Sequence, residues 1–333
     1  MYKQIIHEIL IDGKKVPLVT NVTIKSSRNS FTDTAEIYIP NRLSQRNKKI
    51  SELIVKGSPV VIKLGYDPDL VVEFEGFVSN VIPDKLCVVK CEDQSYNLKR
   101  QSVGKDIIQK ATTIKKVLDA VYTGKMEVFD AYIGDWSITK TSTVIDVLAE
   151  LQDKFKVYSY FRSGVLVVGA QADKTENKTV TCHFQKNLPL NASGYSLRDP
   201  KQERIVVNAK SINRKGEINE IFTYYDGNPE KVVHDEVAPT SGVVNEFHIG
   251  GQSDFTIARL KTLAEIRLKA LTFTGAEGSI VMFGVPSVKH GDIAKVIDLD
   301  VSEKDNKFSI VGVTKTFGKG VGYRQSIDLG ISI

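Results

Sequence analysis

The sequence predicts a mixed α+β chain that is predominantly β. Three observations carry this. Short apolar segments separated by turn residues fill about the first hundred positions; helical spacing is confined to a middle block and one later stretch; and strand alternation resumes to the C-terminus. A chain of 333 residues corresponds to roughly two domains at about 150 residues each.

The first region, 1–103, reads as strands throughout: Tyr2 to Ile11, Val22 to Lys25, Ala35 to Ile39, Val60 to Leu64, Val71 to Ile82 and Leu86 to Cys91. Asp12-Gly13, Gly65 to Asp69 and Pro83-Asp84 supply the turns. Consecutive strands with no helix between them imply an antiparallel barrel or sandwich. Gly76, inside its strand, marks a bulge or sharp bend.

A small α+β unit, 104–195, follows. Ile107, Ala111, Ile114, Leu118 and Val121 recur at spacings of three and four, which predicts a helix over 107–121. A second helix runs Thr143 to Lys154, with Ser142 or Thr143 as its N-cap. Trp136 and Ile138 form a short strand before it, and Tyr158 to Phe161 with Val165 to Val168 form a hairpin after it. Lys174 to Thr179 is a polar loop.

The third region, 196–333, returns to strands at Ile205 to Ala209, Glu220 to Tyr225 and Val243 to His248. Helix 254–271 carries an apolar stripe of Ile257, Leu260, Leu263, Ala264, Leu268 and Leu271. Strands over 293–299, 308–316 and 323–331 close the chain.

Composition excludes several classes. Hydrophobic residues at 41% and charged residues at 26% are ordinary globular usage, not disorder. A net charge of +5, from 45 basic and 40 acidic residues, is too mild for a dedicated nucleic-acid binder. No apolar run approaches the ~18 residues of a membrane helix, and the N-terminus lacks a signal-peptide core, so synthesis in a cytoplasm without export by the usual route is expected. Cys87 and Cys91 are same-face neighbours on one strand, too far apart for a disulfide, and are expected as buried free thiols with Cys182.

Motifs for chemistry are missing. The five histidines are scattered, and the adjacent Cys182 and His183 point to opposite faces of a strand, so no metal site is expected. There is no zinc-hydrolase helix, nucleophile elbow or P-loop, and no cofactor or catalytic residue is assigned. Asp298-Leu-Asp300 imitates a calcium loop, but Glu303 and Ser309 stand where Gly and Glu are required. Gly318 to Gly322 joins two strands, so it reads as a hairpin.

One segment stands out as an interaction candidate. Asn41 to Lys49 holds Arg42, Arg46, Lys48 and Lys49 with no acidic residue between them. A solvated loop and an electrostatic docking patch are both open readings.

The order of segments then resembles a known family. It runs Phe31-Thr-Asp33-Thr-Ala35-Glu-Ile37, Gly65-Tyr66, Phe74-Glu-Gly76-Phe-Val-Ser-Asn-Val81 and Val88-Val-Lys-Cys-Glu-Asp93-Gln-Ser-Tyr96-Asn-Leu98. Val147-Leu148-Ala-Glu-Leu151, Tyr158, Gly164-Val-Leu166, Gly284-Val-Pro286, Gly291-Asp292, Val311 to Thr316 and Gly322-Tyr323-Arg-Gln-Ser-Ile-Asp-Leu follow. This resembles the late control D family, the baseplate hub of contractile phage tails. It is similar also to the N-terminal hub part of the valine-glycine-repeat spike proteins of type VI secretion.

The resemblance implies two antiparallel tube-type β-barrels per subunit, in a homotrimeric ring that adapts the tail tube to the central spike. It implies no catalytic residues. The partners expected from it are the tube protein, a separate spike protein and other baseplate proteins, in a virion tail or injection-system baseplate assembled in the bacterial cytoplasm. Many relatives continue into a further barrel and needle. This sequence stops at Ile333, hence the expectation of a separate spike. The alternatives are a tail-associated cell-wall hydrolase and a receptor- or carbohydrate-binding β protein; aromatics at 8% and a single Trp speak against the latter.

Overall fold

A computed structural model of the chain describes residues 4–41, 49–155, 157–162, 164–169, 178–184, 186–188, 193–198, 205–212, 216–226, 231–249, 256–272, 275–300 and 305–332. The elements begin with β1 (Ile5–Ile11), β2 (Lys14–Lys15), β3 (Asn21–Ser27), β4 (Thr34–Pro40), α1 (Ile50–Leu53), β5 (Pro59–Tyr66), β6 (Asp69–Ile82), β7 (Leu86–Glu92) and α2 (Ser95–Leu98). Next come β8 (Ile107–Thr113), α3 (Ile114–Val121), β9 (Met126–Val128), β10 (Tyr132–Ile138), α4 (Val144–Phe155), β11 (Tyr158–Arg162) and β12 (Val165–Gly169). The remainder are β13 (Thr179–His183), β14 (Ser193–Arg198), β15 (Ile205–Ile212), β16 (Ile218–Tyr225), β17 (Val232–Asp235), β18 (Val243–Ile249), α5 (Ile257–Leu271), β19 (Gly275–Phe283), β20 (Ile293–Ile297), β21 (Asn306–Gly318) and β22 (Gly322–Ser332).

The chain divides into two compact units. Unit 1 is assembled from 1–100, 174–197 and 276–333. Its strands form one sheet in the order β14-β19-β22-β21-β3-β4-β7-β6-β5-β1-β2, with β13 pairing β20 and β20 pairing β21 off this path. Strict alternation drives the pairing. Ala35, Ile37 and Ile39 of β4 and Cys87, Val89 and Cys91 of β7 all turn inward and are buried.

Mixed α+β, mostly β, is what the structure shows, but among the described residues the two tube-type barrels expected from the resemblance are not there. No sheet of the described residues closes on itself: β14 stands at one end of the large sheet and β2 at the other. The edge of β3 that closure of a first barrel requires is taken by a C-terminal strand, with Gly312–Gly318 of β21 paired antiparallel to Asn21–Ser27. Two apolar clusters line this one sheet. The first gathers Ile9, Ile37, Ile39, Ile62 and Leu64 with Phe317 and Tyr323; the second gathers Val180, Cys182, Ile280, Met282, Phe308, Ile310 and Ile327. Alternation in sequence reports an inward face, and two inward faces look like two barrels.

Long strands are shared between neighbours. β6 pairs with β5 over Asp69–Phe77 and with β7 over Phe77–Ile82, so it changes partner at Gly76 and Phe77. Gly76 is needed there because an added Cβ would lie 2.2 Å from the Glu92 carbonyl oxygen. Gly318 pairs with Gly322 at the end of β21 and β22, as the hairpin reading expects. Asp298, in the stretch read as a failed calcium loop, instead accepts the Asp300 N–H at 3.0 Å, and its own N–H donates to Asp305 Oδ1 at 2.6 Å.

Unit 2 comprises 101–173 and 198–275. It holds the pair β10-β8, the three-stranded sheet β11-β12-β9 and the four-stranded sheet β17-β16-β15-β18. The helix predicted over 107–121 begins later: Ile107–Thr113 is strand β8, and the helix is Ile114–Val121. Its first half, Ile-Ile-Gln-Lys-Ala-Thr-Thr, is rich in β-branched residues that favour an extended chain, and β10 is available to pair with it. Thr143 caps α4 reciprocally with Asp146. Its Oγ1 donates to Asp146 Oδ2 at 2.7 Å, and the Asp146 N–H returns to Thr143 Oγ1 at 3.3 Å. Helix α5 lays Leu260, Ala264 and Leu268 on Ile205, Val207, Ala209 and Ile221. Asp254, the expected start of that helix, lies outside the described residues.

Candidate functional site

The sequence-predicted docking segment is framed by Asn41. Its backbone N–H donates to the Lys85 carbonyl at 3.1 Å, its carbonyl accepts from the Ile50 N–H at 3.0 Å, and its side-chain oxygen accepts from the Ser51 N–H at 3.0 Å. These bonds hold both ends of the segment together at the start of α1. Lys49 is exposed and immediately precedes α1. Arg42, Arg46 and Lys48 lie outside the described residues.

A dense polar cluster of unit 1 is one the sequence reading missed. Glu73 of β6, Ser287 after β19, Lys315 of β21 and Tyr323 of β22 converge in the interior, where the Glu73 side chain is 0% and the Lys315 side chain 5% exposed. Lys315 Nζ donates to Glu73 Oε2 and, at 2.8 Å, to Ser287 Oγ. Ser287 Oγ donates to Glu73 Oε2 at 2.9 Å, and the Tyr323 hydroxyl donates to Glu73 Oε1 at 2.7 Å. Gln325 extends the network, donating to the Phe283 and Pro286 carbonyls at 3.0 and 2.6 Å. Burial holds the Lys315 ammonium below the usual lysine range, while Glu73 pulls it back up. Burial and the Glu73 charge both push the Tyr323 phenol upward.

A serine beside a buried lysine is the pairing of a nucleophile with its base. The hydrogen bonds here assign other roles. Lys315 Nζ is the donor to both Glu73 and Ser287, so it is not placed to accept the Ser287 proton. The Ser287 hydrogen is committed to Glu73. Every member is satisfied, so the cluster pins β6, β21, β22 and the 284–288 turn together. The signal for it lies in strand phase. Lys315 sits between the inward-facing Val313 and Phe317, and Gln325 between Tyr323 and Ile327. A polar residue at an inward position needs a buried partner.

A second cluster groups carboxylates. Burial, reinforced by the Asp93 charge, raises Asp33 to about 7 against the hydrogen bond from Ser26 Oγ at 2.7 Å. His290 Nε2 lies 4.0 Å from Asp33 Oδ2. Burial also raises Asp93, which accepts from the Ser95 N–H at 3.0 Å and from Ser95 Oγ at 2.6 Å. In unit 2, Thr223 Oγ1 lies 3.0 Å from His234 Nδ1, and His234 Nε2 lies 2.9 Å from Glu265 Oε1. This has the order of a hydrolytic triad, but Thr223 is fully buried, so the chain of bonds ties β17 to α5. Among the described residues no group of three His, Cys, Asp or Glu side chains could hold a metal ion. Cys87, Cys91 and Cys182 are buried free thiols, with burial pushing Cys91 up to about 12 and Cys182 up to about 11.

No protein-family model and no curated protein matches the chain in sequence. Solved structures do match its fold. It superposes on the tail protein from Neisseria meningitidis MC58 with TM-score 0.66 at 14% identity, covering 98% of this chain and 96% of that one. The 43 kDa tail protein of prophage MuSo2 from Shewanella oneidensis matches with TM-score 0.60 at 14% identity, covering 99% and 98%. An E. coli component of the type VI secretion system, itself structurally similar to T4 bacteriophage tail proteins, matches with TM-score 0.57 at 11% identity, covering 97% and 76%. The chain thus has the fold of phage tail proteins and of a type VI secretion component, the two groups that its order of segments resembles.

Proposed function

We propose that the protein is a structural hub of a contractile tail or related injection system, a ring subunit that adapts the tail tube to the central spike. The single observation that carries this reading is the end-to-end fold match to phage tail proteins, which covers almost all of both chains. The reading makes the protein a scaffold and not an enzyme. It acts by presenting surfaces: one face of the ring to the tube, the other to the central spike, with further baseplate proteins around it. Its place is the baseplate, and assembly takes place in the bacterial cytoplasm.

The ring is taken as a homotrimer, the number that the family resemblance supplies. Closed cyclic symmetry satisfies sheet edges and apolar surface without open-ended growth. The basic segment with Arg42, Arg46, Lys48 and Lys49 is a docking element for a neighbour in this assembly.

Two-dimensional class averages of the purified protein, together with light scattering, test the reading. A ring with a central hole and a mass of about three times 36.9 kDa is the expected result. A monomer over a wide concentration range, or clearing of peptidoglycan in a zymogram, overturns it.

A further inference from the structure

The angle between β8 and α3 in unit 2 holds a groove of about 480 Å³, lined by Gln109, Lys110, Thr112, Lys116, Asp119 and Ala120. Four observations meet there. First, β8 pairs with β10 on one side and with no other strand among the described residues, so over Ile107–Gln109, before the register shifts that follow, alternate backbone N–H and C=O groups on its second side are open to a partner strand. Second, Ile108 on this strand is 76% exposed, an apolar side chain on an edge that folded proteins ordinarily blunt.

Third, the groove is electropositive. Lys110 and Lys116 are exposed and form no ion pair among the described residues. The one carboxylate in the lining, Asp119, is already bonded to Lys115 Nζ at 3.1 Å. Fourth, the edge is held in shape at a conformational cost. Ala111 has φ of 49°, in the left-handed region, and its N–H is fixed by Asp135 Oδ1 at 3.0 Å. Gln109 braces the other side, donating to the Lys116 carbonyl at 3.1 Å and accepting from Thr112 Oγ1 at 2.7 Å.

We propose that this groove is a docking surface for an extended acidic segment of a partner protein, added as a strand to the open edge of β8. Main-chain bonds to β8 supply the affinity of such an addition, and the side chains on its face supply the choice of partner. Ile108 and Lys110 are two apart on one strand and both exposed, so they share a face. The segment they select has an apolar residue and an acidic residue two positions apart, with a second acidic group within reach of Lys116.

The test uses the full-length protein and a fluorescein-labelled heptapeptide in which threonine alternates with one valine and two glutamates. Its counterpart carries lysine in place of glutamate, and a single-stranded oligonucleotide of equal negative charge is the third probe. At low ionic strength the acidic peptide should bind at least ten-fold tighter than the other two, and salt should weaken it. Hydrogen exchange should slow over 107–113 on binding. Lys110→Glu with Lys116→Glu should cut binding at least ten-fold, and Ile108→Thr should weaken it without changing the salt dependence. Exchange protection in the wild-type protein reads the site directly, even where a variant fails to fold. The proposal is overturned by absent or charge-independent peptide binding, by protection outside 107–113, by tighter binding of the oligonucleotide, or by folded variants that bind as wild type.

Discussion

Glu73 and Lys315 stand 242 residues apart in the chain and meet as an ion pair in the interior of unit 1. Removing one partner of a buried pair strands the other charge in a medium that cannot solvate it. Lys315→Met should therefore destabilise the protein by about 3–5 kcal/mol. The double variant Glu73→Gln with Lys315→Met should recover most of that loss, because Gln keeps an acceptor for Tyr323 and leaves no charge. Urea unfolding followed by circular dichroism measures both. If the double variant is as unstable as the single one, the network acts through shape and not through charge.

Asp33 makes stability fall with rising pH. Its carboxyl ordinarily titrates at 3.8, and burial with the neighbouring Asp93 raises it to about 7 in the folded protein. Between those values the folded state holds a proton that the unfolded state has released. The stability associated with that proton is present below pH 3.8 and is lost as pH rises to about 7. Asp33→Asn should flatten the decline in melting temperature between pH 5 and 7. Parallel melting profiles for wild type and variant would show that Asp33 does not govern the slope.

Two glycines should behave oppositely. Gly76→Ala drives a Cβ to 2.2 Å from the Glu92 carbonyl oxygen, where β6 changes partner. The backbone must shift, at about 1–3 kcal/mol. Gly320→Ala meets nothing within 4 Å and should stay within about 0.5 kcal/mol of wild type. Chemical denaturation of the pair checks this, and an equal cost at both positions would contradict it.

Reversing Arg46, Lys48 and Lys49 to Glu should leave folding and self-assembly intact. On the hub reading it should slow binding to tube or spike and remove the salt dependence, each charge contributing about 0.2–1 kcal/mol. Association rates measured at two ionic strengths decide it. Wild-type rates at low salt would make the segment a solvated loop.

Local pattern made much of the molecule legible. Alternation located the strands around Ala35, Ile37 and Ile39 and the closing hairpin at Gly318 and Gly322, because strand phase and turn chemistry are properties of neighbouring residues. The stripe of α5 was legible for the same reason at Leu260, Leu263, Ala264, Leu268 and Leu271, though Ile257 of that stripe is exposed, and so was a cap at Ser142 or Thr143, of which the structure uses Thr143. The stretch 107–113 misled, because a few apolar residues at helical spacing fit a strand as well, and β10 decided between the two.

Whether strands close into barrels depends on which edge meets which, and an edge carries no mark in sequence. The pairing of β21 with β3 joins residues nearly the whole chain apart and leaves one open sheet. The same holds for the polar interior. Lys315 and Gln325 announce by their phase that they need partners, but Glu73, Ser287 and Tyr323 become those partners through tertiary folding. By itself the sequence determined which residues face inward and where the chain turns, since both follow from the stereochemistry of adjacent residues. Tertiary structure alone decided which strand edges pair and which buried charges meet, because those energies are realised between segments hundreds of residues apart.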